Sequence, residues 1–270
     1  MKIVDLDEIF ERSVRRYMQK NAGKYTEEEW EDKIAELYEA FGNAPLKELD
    51  GASPNAYFSS LSPKELCEAL VAYNESGIEP PDLLTVAIAA ADTEEELLKL
   101  VSPREENGVT AYALNILKIK GSTAPLSQYI KYVASPDTDE DLREIMGEIL
   151  IENARLIKGE LLAAAPTAEA GKDVFFKALS LCPQDQAVYD YLINEFKNAP
   201  VHVAAFYAGM LADYGDERAI EAITARINDG EINYADFVEF KLAIEALGGT
   251  YEDDRDFSYD DTYIKKKNYS

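Results

Sequence analysis

The sequence predicts an all-α chain, and three observations carry that prediction. Apolar residues recur at helical spacing almost throughout the 270 residues, capping signals fall between the periodic stretches, and no segment alternates apolar and polar residues between hairpin turns. A helix is expected over 6–20. The next opens on Thr26-Glu27-Glu28-Glu29, where a Thr hydroxyl and a Glu three residues on can satisfy each other's backbone amides, a capping box. Trp30, Ile34, Leu37 and Phe41 then follow at steps of four, three and four on one face, and Gly42 is placed as the stop. Ser62-Pro63-Lys64-Glu65 repeats the logic: Ser62 caps, Pro63 takes the first helical position, Leu66, Leu70 and Tyr73 share a face, and Gly77 ends the helix. Between these lies an irregular stretch, Gly42 to Leu61, rich in Gly, Ser, Pro and Asn.

Further helices are predicted at 81–91, 94–101, 107–119, 124–134, 138–153, 155–164, 167–181, 184–197, 200–213, 216–228 and 233–247. From residue 94 they fall into pairs joined by tight turns: 94–101 with 107–119, 124–134 with 138–153, 155–164 with 167–181, 184–197 with 200–213, and 216–228 with 233–247. Each pair spans about 30 residues, the period of a solenoid repeat. Asp185-Gln186-Ala187-Val188-Tyr189 aligns with Asp216-Glu217-Arg218-Ala219-Ile220 at an offset of 31, with little identity between units.

Residues 211–227 sharpen this. A helix ends at Gly215, Asp216 is placed to cap the next, and Arg218-Ala219-Ile220 begins it; Ala243-Ile244-Glu245-Ala246-Leu247-Gly248 closes the helix that follows. This stretch, 211–248, resembles a HEAT-like helical repeat, and the paired pattern extends the likeness loosely back to residue 155. The resemblance implies a right-handed α-solenoid of antiparallel helix pairs. A tetratricopeptide assignment fits less well, because the step from Gly215 to Ala219 is one short of that pattern. The expected organisation is an N-terminal helical cap or small subdomain over 1–80, HEAT-like repeats over 81–249, and an acidic, tyrosine-rich tail over 250–270.

Charge narrows the function classes. With 52 Asp and Glu against 27 Lys and Arg, the formal net charge is −25, which leaves little from which to build the basic patch that nucleic acid or an anionic membrane requires. The longest apolar stretch, Leu83 to Ala91, is too short to span a bilayer. Carboxylates at Asp5, Asp7 and Glu8 stand where a signal peptide needs apolar residues, and Cys67 and Cys182, 115 positions apart, suit two buried thiols in a reducing compartment. A cytoplasmic protein is expected.

Candidate sites are few. Asn228-Asp229-Gly230-Glu231-Ile232-Asn233-Tyr234-Ala235-Asp236-Phe237 resembles the back half of an EF-hand loop, but the first and third ligand positions would fall on Ala225 and Ile227. Asp137, Asp139, Asp141 and Glu148 supply acids at positions one, three, five and twelve of such a loop, with Leu142 where glycine is needed; acids in a helix's first turn explain them without calcium. The tail run Asp254 to Asp260 puts Tyr259 at the glycine position and Lys265 at the twelfth. That tail also interleaves Tyr251, Tyr259, Tyr263 and Tyr269 with six acids before Lys265-Lys266-Lys267, a pattern of a mobile terminus or of a segment that docks. His202, the one histidine, has no nucleophile motif beside it, and Walker A, GxGxxG and HExxH are absent.

These readings assign no catalytic residue, metal ligand or cofactor and leave the binding residues open. The function expected is a non-catalytic protein-protein interaction scaffold or adaptor whose negative surface takes a basic protein or peptide. The alternatives are a helical-repeat enzyme with a carboxylate-lined pocket, a neutraliser or immunity-type partner of a nucleic-acid-binding protein, and a degenerate EF-hand-like calcium-responsive protein.

Overall fold

The computed structural model describes residues 2–104, 108–228, 232–253 and 255–268, and among them the chain is all-helical: 70% helix, sixteen α-helices and no strand. No described helix is long and apolar enough to cross a membrane. The chain divides into two compact units, Met1–Pro125 and Leu126–Ser270.

The first unit contains α1 (Leu6–Lys20), α2 (Glu27–Gly42), α3 (Pro54–Ser59), α4 (Pro63–Ser76), α5 (Asp82–Ala90), α6 (Glu94–Leu100) and α7 (Val109–Ile119). Both expected capping boxes form: Thr26 with Glu29, and Ser62 with Glu65, each with reciprocal side-chain bonds. The apolar face of α2 meets α1 through rings, Trp30 lying 6.2 Å from Tyr17 and Phe41 lying 5.4 Å from Phe10. Gly77 ends α4 in the left-handed region at φ 71°, as placed. Gly42 does not end α2: it is the last helical residue, pressed against the Asn55 side chain, and Asn43 caps the helix. The stretch expected to be irregular holds a 3-10 turn at Lys47–Leu49 and α3, whose Ser53-Pro54 start repeats the Ser62-Pro63 device. Tyr73 on α4 is buried and donates to the Val4 carbonyl at 3.0 Å, which ties the N-terminal segment down.

The second unit contains α8 (Leu126–Val133), α9 (Glu140–Glu152), α10 (Ala154–Ala164), α11 (Lys172–Ser180), α12 (Gln186–Asn198), α13 (Val201–Tyr214), α14 (Ala219–Asn228), α15 (Tyr234–Ala246) and α16 (Asp261–Asn268). Its packing alternates. Successive helices touch as α8 with α9, α10 with α11, α12 with α13, and α14 with α15; in addition α10 touches α8 and α12, α12 touches α14, α11 touches α9 and α13, and α13 touches α15. Even-numbered and odd-numbered helices therefore make two rows, with a core of Phe175, Phe176, Leu192, Phe196, Leu211 and Phe240. Phe176 of α11 stacks on Tyr207 of α13 at 3.9 Å and 12°.

Polar ties at the helix starts lock the even row. Asp185 accepts from the Ala187 and Val188 amides, takes the Lys158 ammonium of α10, and exchanges two backbone bonds with the Tyr214 hydroxyl of α13. Asp216, 31 positions on, bonds the Arg218 amide and guanidinium. Arg218 also donates to Gln186 of α12 at 2.9 Å and lies 4.1 Å above the Tyr189 ring.

The helix expected over 167–181 begins only at Lys172. Residues 168–171 are folded back on α8, the Glu169 and Ala170 amides donating to the Ala134 carbonyl, and Gly171 turns the chain at φ 62°. A Cβ there would stand 2.6 Å from Val133 Cγ1 and 2.7 Å from its carbonyl oxygen.

The tail docks on the last helices. Arg255 donates to the Ile227 carbonyl at 3.1 Å and lies over the Phe237 ring, Phe257 packs 4.9 Å from Phe237, and Tyr263 packs 5.0 Å from Tyr234. Asp260 accepts from the Tyr234 amide at 2.9 Å and caps α16 through the Thr262 and Tyr263 amides. Asp254 and Tyr269 lie outside the described residues.

Gly171→Ala is expected to cost about 2–4 kcal/mol, the left-handed penalty plus the clash with Val133, read as a lower denaturation midpoint at unchanged m. Asp260 is held down at about 2 by the Thr262 hydroxyl, the Tyr234 amide and its own capping bonds. Since this lies below the ordinary carboxylate value, its contribution to tail docking is complete above about pH 4 and is lost as the pH falls through about 2. A carboxyl NMR titration should find that midpoint, and Asp260→Ala should speed amide exchange at Tyr234.

Candidate functional site

Two adjoining clefts open on the odd-numbered row of the second unit. One, of about 400 Å³, runs along α9 and the start of α11; the other, of about 490 Å³, continues over α11, α13 and α15, and the two share Ile151, Asp173 and Val174. Helical spacing explains the lining. Glu140, Glu144 and Glu148 stand at successive four-residue steps on α9, each exposed, and Gly147 lies among them close to the Val174 side chain. On α13, Phe206, Gly209, Met210 and Asp213 fall at steps of three and four.

The floor is apolar, built from Ile151, Val174, Phe206 and Met210. Phe206 is 57% exposed, an unusual cost for a phenyl ring beside a cleft, whereas Met210 is 7% exposed. One turn beyond Glu239 on α15, Leu242 is 53% exposed. Gly209 leaves real space, since a Cβ built on it meets no atom within 4 Å.

The rim is acidic. Glu140, Glu144, Glu148, Asp173, Asp213 and Glu239 face two cations, Arg143 and Lys177. Both cations are engaged within the fold. Lys177 pairs with Asp213 at 2.6 Å, and Arg143 donates to the Ser135 and Thr138 carbonyls at 3.2 and 2.7 Å. The arrangement offers carboxylate acceptors around an apolar trough, suited to a surface that is both cationic and apolar.

Of the residues singled out on sequence, Glu148 lines the smaller cleft and the others lie elsewhere or outside the described residues. Asp139 caps α9, accepting from the Asp141 and Leu142 amides at 3.1 and 3.2 Å, so this acidic run serves the helix start. Asn233 caps α15 through the Asp236 amide, while Asp229, Gly230 and Glu231 lie outside the described residues. Among the described residues no group of three or more His, Cys, Asp or Glu side chains is placed to hold a metal ion. His202 is exposed on the first turn of α13, one turn before Phe206, and lines neither cleft. Cys67 and Cys182 are buried free thiols; burial pushes the first up to about 11 and raises the second.

Sequence reasoning missed the trough. The one signal was that α13, VHVAAFYAGMLADY, carries apolar residues on all sides, more than a single packed face needs. Phe206→Ser is expected to change stability by less than about 0.5 kcal/mol, and Met210→Ala to cost about 2–3 kcal/mol, because only the second empties packed volume; paired denaturation curves check this.

Compared with protein-family models, with curated proteins and with solved structures, the chain gives no match to any of the three, so the chemistry of this trough carries the functional reading.

Proposed function

We propose that the chain is a non-catalytic interaction scaffold whose second unit is a HEAT-like, right-handed α-solenoid of antiparallel helix pairs, and that a basic protein or peptide binds along its odd-numbered row. The observation that carries this is the acid-rimmed, apolar-floored trough over α9, α11, α13 and α15. A repeat architecture finds support in the two rows and in Asp185 and Asp216, 31 residues apart: Asp185 takes Lys158 of α10, and Asp216 holds the Arg218 that reaches Gln186 of α12. Solenoids present such extended surfaces because each repeat packs only on its neighbours and leaves one long face free.

A catalytic pocket finds less support. The clefts are open, His202 is outside them, and the rim acids are spread over four helices rather than converged on one point. Acid excess elsewhere on the chain has its own explanation in helix first turns, as at Glu27, Glu28 and Glu29 or Glu94, Glu95 and Glu96, so the trough rather than the net charge locates the partner.

Affinity capture from native cell extract, at low and at moderate salt, tests this with the wild-type chain beside Asp173→Asn/Glu239→Gln. Basic proteins should be retained at low salt, fall steeply with added salt, and be lost on the variant. Retention that ignores both salt and variant would overturn the proposal.

A further inference from the structure

We infer that the occupant of the trough is an amphipathic α-helix with one apolar stripe flanked by Lys and Arg, rather than an extended peptide or a merely cationic surface. This rests on the trough being the binding surface. The argument is about backbone hydrogen bonds. An extended peptide laid across the trough would bring an unpaired carbonyl and amide at every residue, and its host must satisfy them or leave them buried at a cost. Among the described residues, neither cleft is lined by Asn, Gln, Ser, Thr or His. The side-chain donors are Arg143 and Lys177: Arg143 Nη2 is held by the Ser135 and Thr138 carbonyls and its Nε is buried away from the cleft surface, while Lys177 is drawn to Asp213. Carboxylates can take peptide amides, but two cations already held within the fold cannot answer a row of carbonyls, one per residue, along four helices. A helix arrives with both already paired.

Size and charge agree. Four neighbouring helices spaced by about 8–10 Å make a trough about 24–30 Å long, which an α-helix of about 16–20 residues spans at 1.5 Å per residue. The floor would take side chains at helical steps against Phe206, Met210 and Val174, while Asp173 and Glu239 meet the Lys and Arg that flank an apolar stripe. The space over Gly209 is where the largest apolar side chain of the visitor fits, since nothing lies within 4 Å of the missing Cβ.

The test is fluorescence anisotropy on the full chain with three labelled peptides of about 18 residues. The first sets Leu in one stripe with Lys on both flanks and Ala elsewhere; the second is its scramble, of equal charge; the third is the first with two central prolines. The first should bind, with its helical circular dichroism rising on binding, and the other two should bind at least about tenfold more weakly. Gly209→Leu, which fills the trough from a helical position with open space, should weaken the first peptide by at least about tenfold while leaving the melting temperature unchanged or higher. Phe206→Ser should weaken it in the same direction. Equal affinity for all three peptides, lost on Asp173→Asn/Glu239→Gln, would overturn the helix and leave the acidic binding surface standing. Affinity for the first peptide that survives Gly209→Leu and Phe206→Ser would overturn the inference by putting the peptide elsewhere. Failure of every peptide to bind at low salt would overturn both the inference and the reading beneath it.

Discussion

Within the second unit the packing of α13 constrains everything around it. Its sequence is apolar on every side, and a helix of that kind must be enclosed rather than laid on a surface. It is enclosed by α11, α12, α14 and α15, all of which it touches. The ring stack of Phe176 on Tyr207 fixes the approach of α11, and Tyr214 at the far end of α13 is held by both backbone groups of Asp185. Four neighbours cannot cover the whole circumference. What they leave is the strip carrying Phe206 and Gly209, so the floor of the trough is a by-product of enclosing α13, kept apolar where a polar residue would have been free to stand.

The acids divide by the same geometry. Many sit in first turns, where the unpaired amides of a helix start favour a negative charge, and Asp5, Asp139 and Asp185 are consumed as caps. Of those on the trough, Glu140 and Asp173 also sit in the first turns of α9 and α11, whereas Glu144, Glu148, Asp213 and Glu239 stand further along their helices. Asp173 and Glu239 are exposed side chains on α11 and α15, either side of α13, and Lys177, the lysine lining the cleft, is drawn toward Asp213. Exposed pairs of that kind contribute little to stability. Their effect is on the charge around the trough, where six carboxylates outnumber two cations, Arg143 and Lys177.

How much of this could be read from residues follows from range. Local signals were legible: the capping boxes at Thr26 and Ser62 and the glycine stops at Gly77 and Gly215 need only neighbours within one turn, and all stand where the sequence put them. Helix α3 was legible too, since Ser53-Pro54 is the same start signal as Ser62-Pro63, but the Gly and Ser around it masked a six-residue helix without a periodic face to announce it. Gly171 defeated the reading for a different reason. The helix expected over 167–181 holds apolar residues at helical spacing, and only the close approach of Val133, 38 positions earlier, requires the chain to turn at φ 62° before α11 can begin. The trough lay furthest out of reach, because Glu239, Phe206 and Asp173 have no periodic relation to one another until three helices are packed side by side.

The tail shows how the exposed flank of α15 is covered. Helix α15 buries Phe237 and Phe240, and residues 255–263 pack on the flank that carries Tyr234 and Phe237. Aromatics interleaved with acids supply a cover that is apolar inward and charged outward: Phe257 and Tyr263 bracket Tyr234, while Tyr259, 93% exposed, and Asp256 face water. Asp260 makes the junction directional, since one carboxylate both receives the Tyr234 amide and starts α16. The Tyr234 amide lies at the N-terminus of α15, where no intrahelical partner exists, so a negative side chain is favoured there by hydrogen bond and by helix dipole together. The Asp260 carboxylate thus serves the packing of this segment on α15. The segment lies on the Phe237 side of α15, while the trough is lined from the side bearing Glu239, and two positions along a helix point about 200° apart, so the cover closes one flank of α15 and leaves the trough flank open.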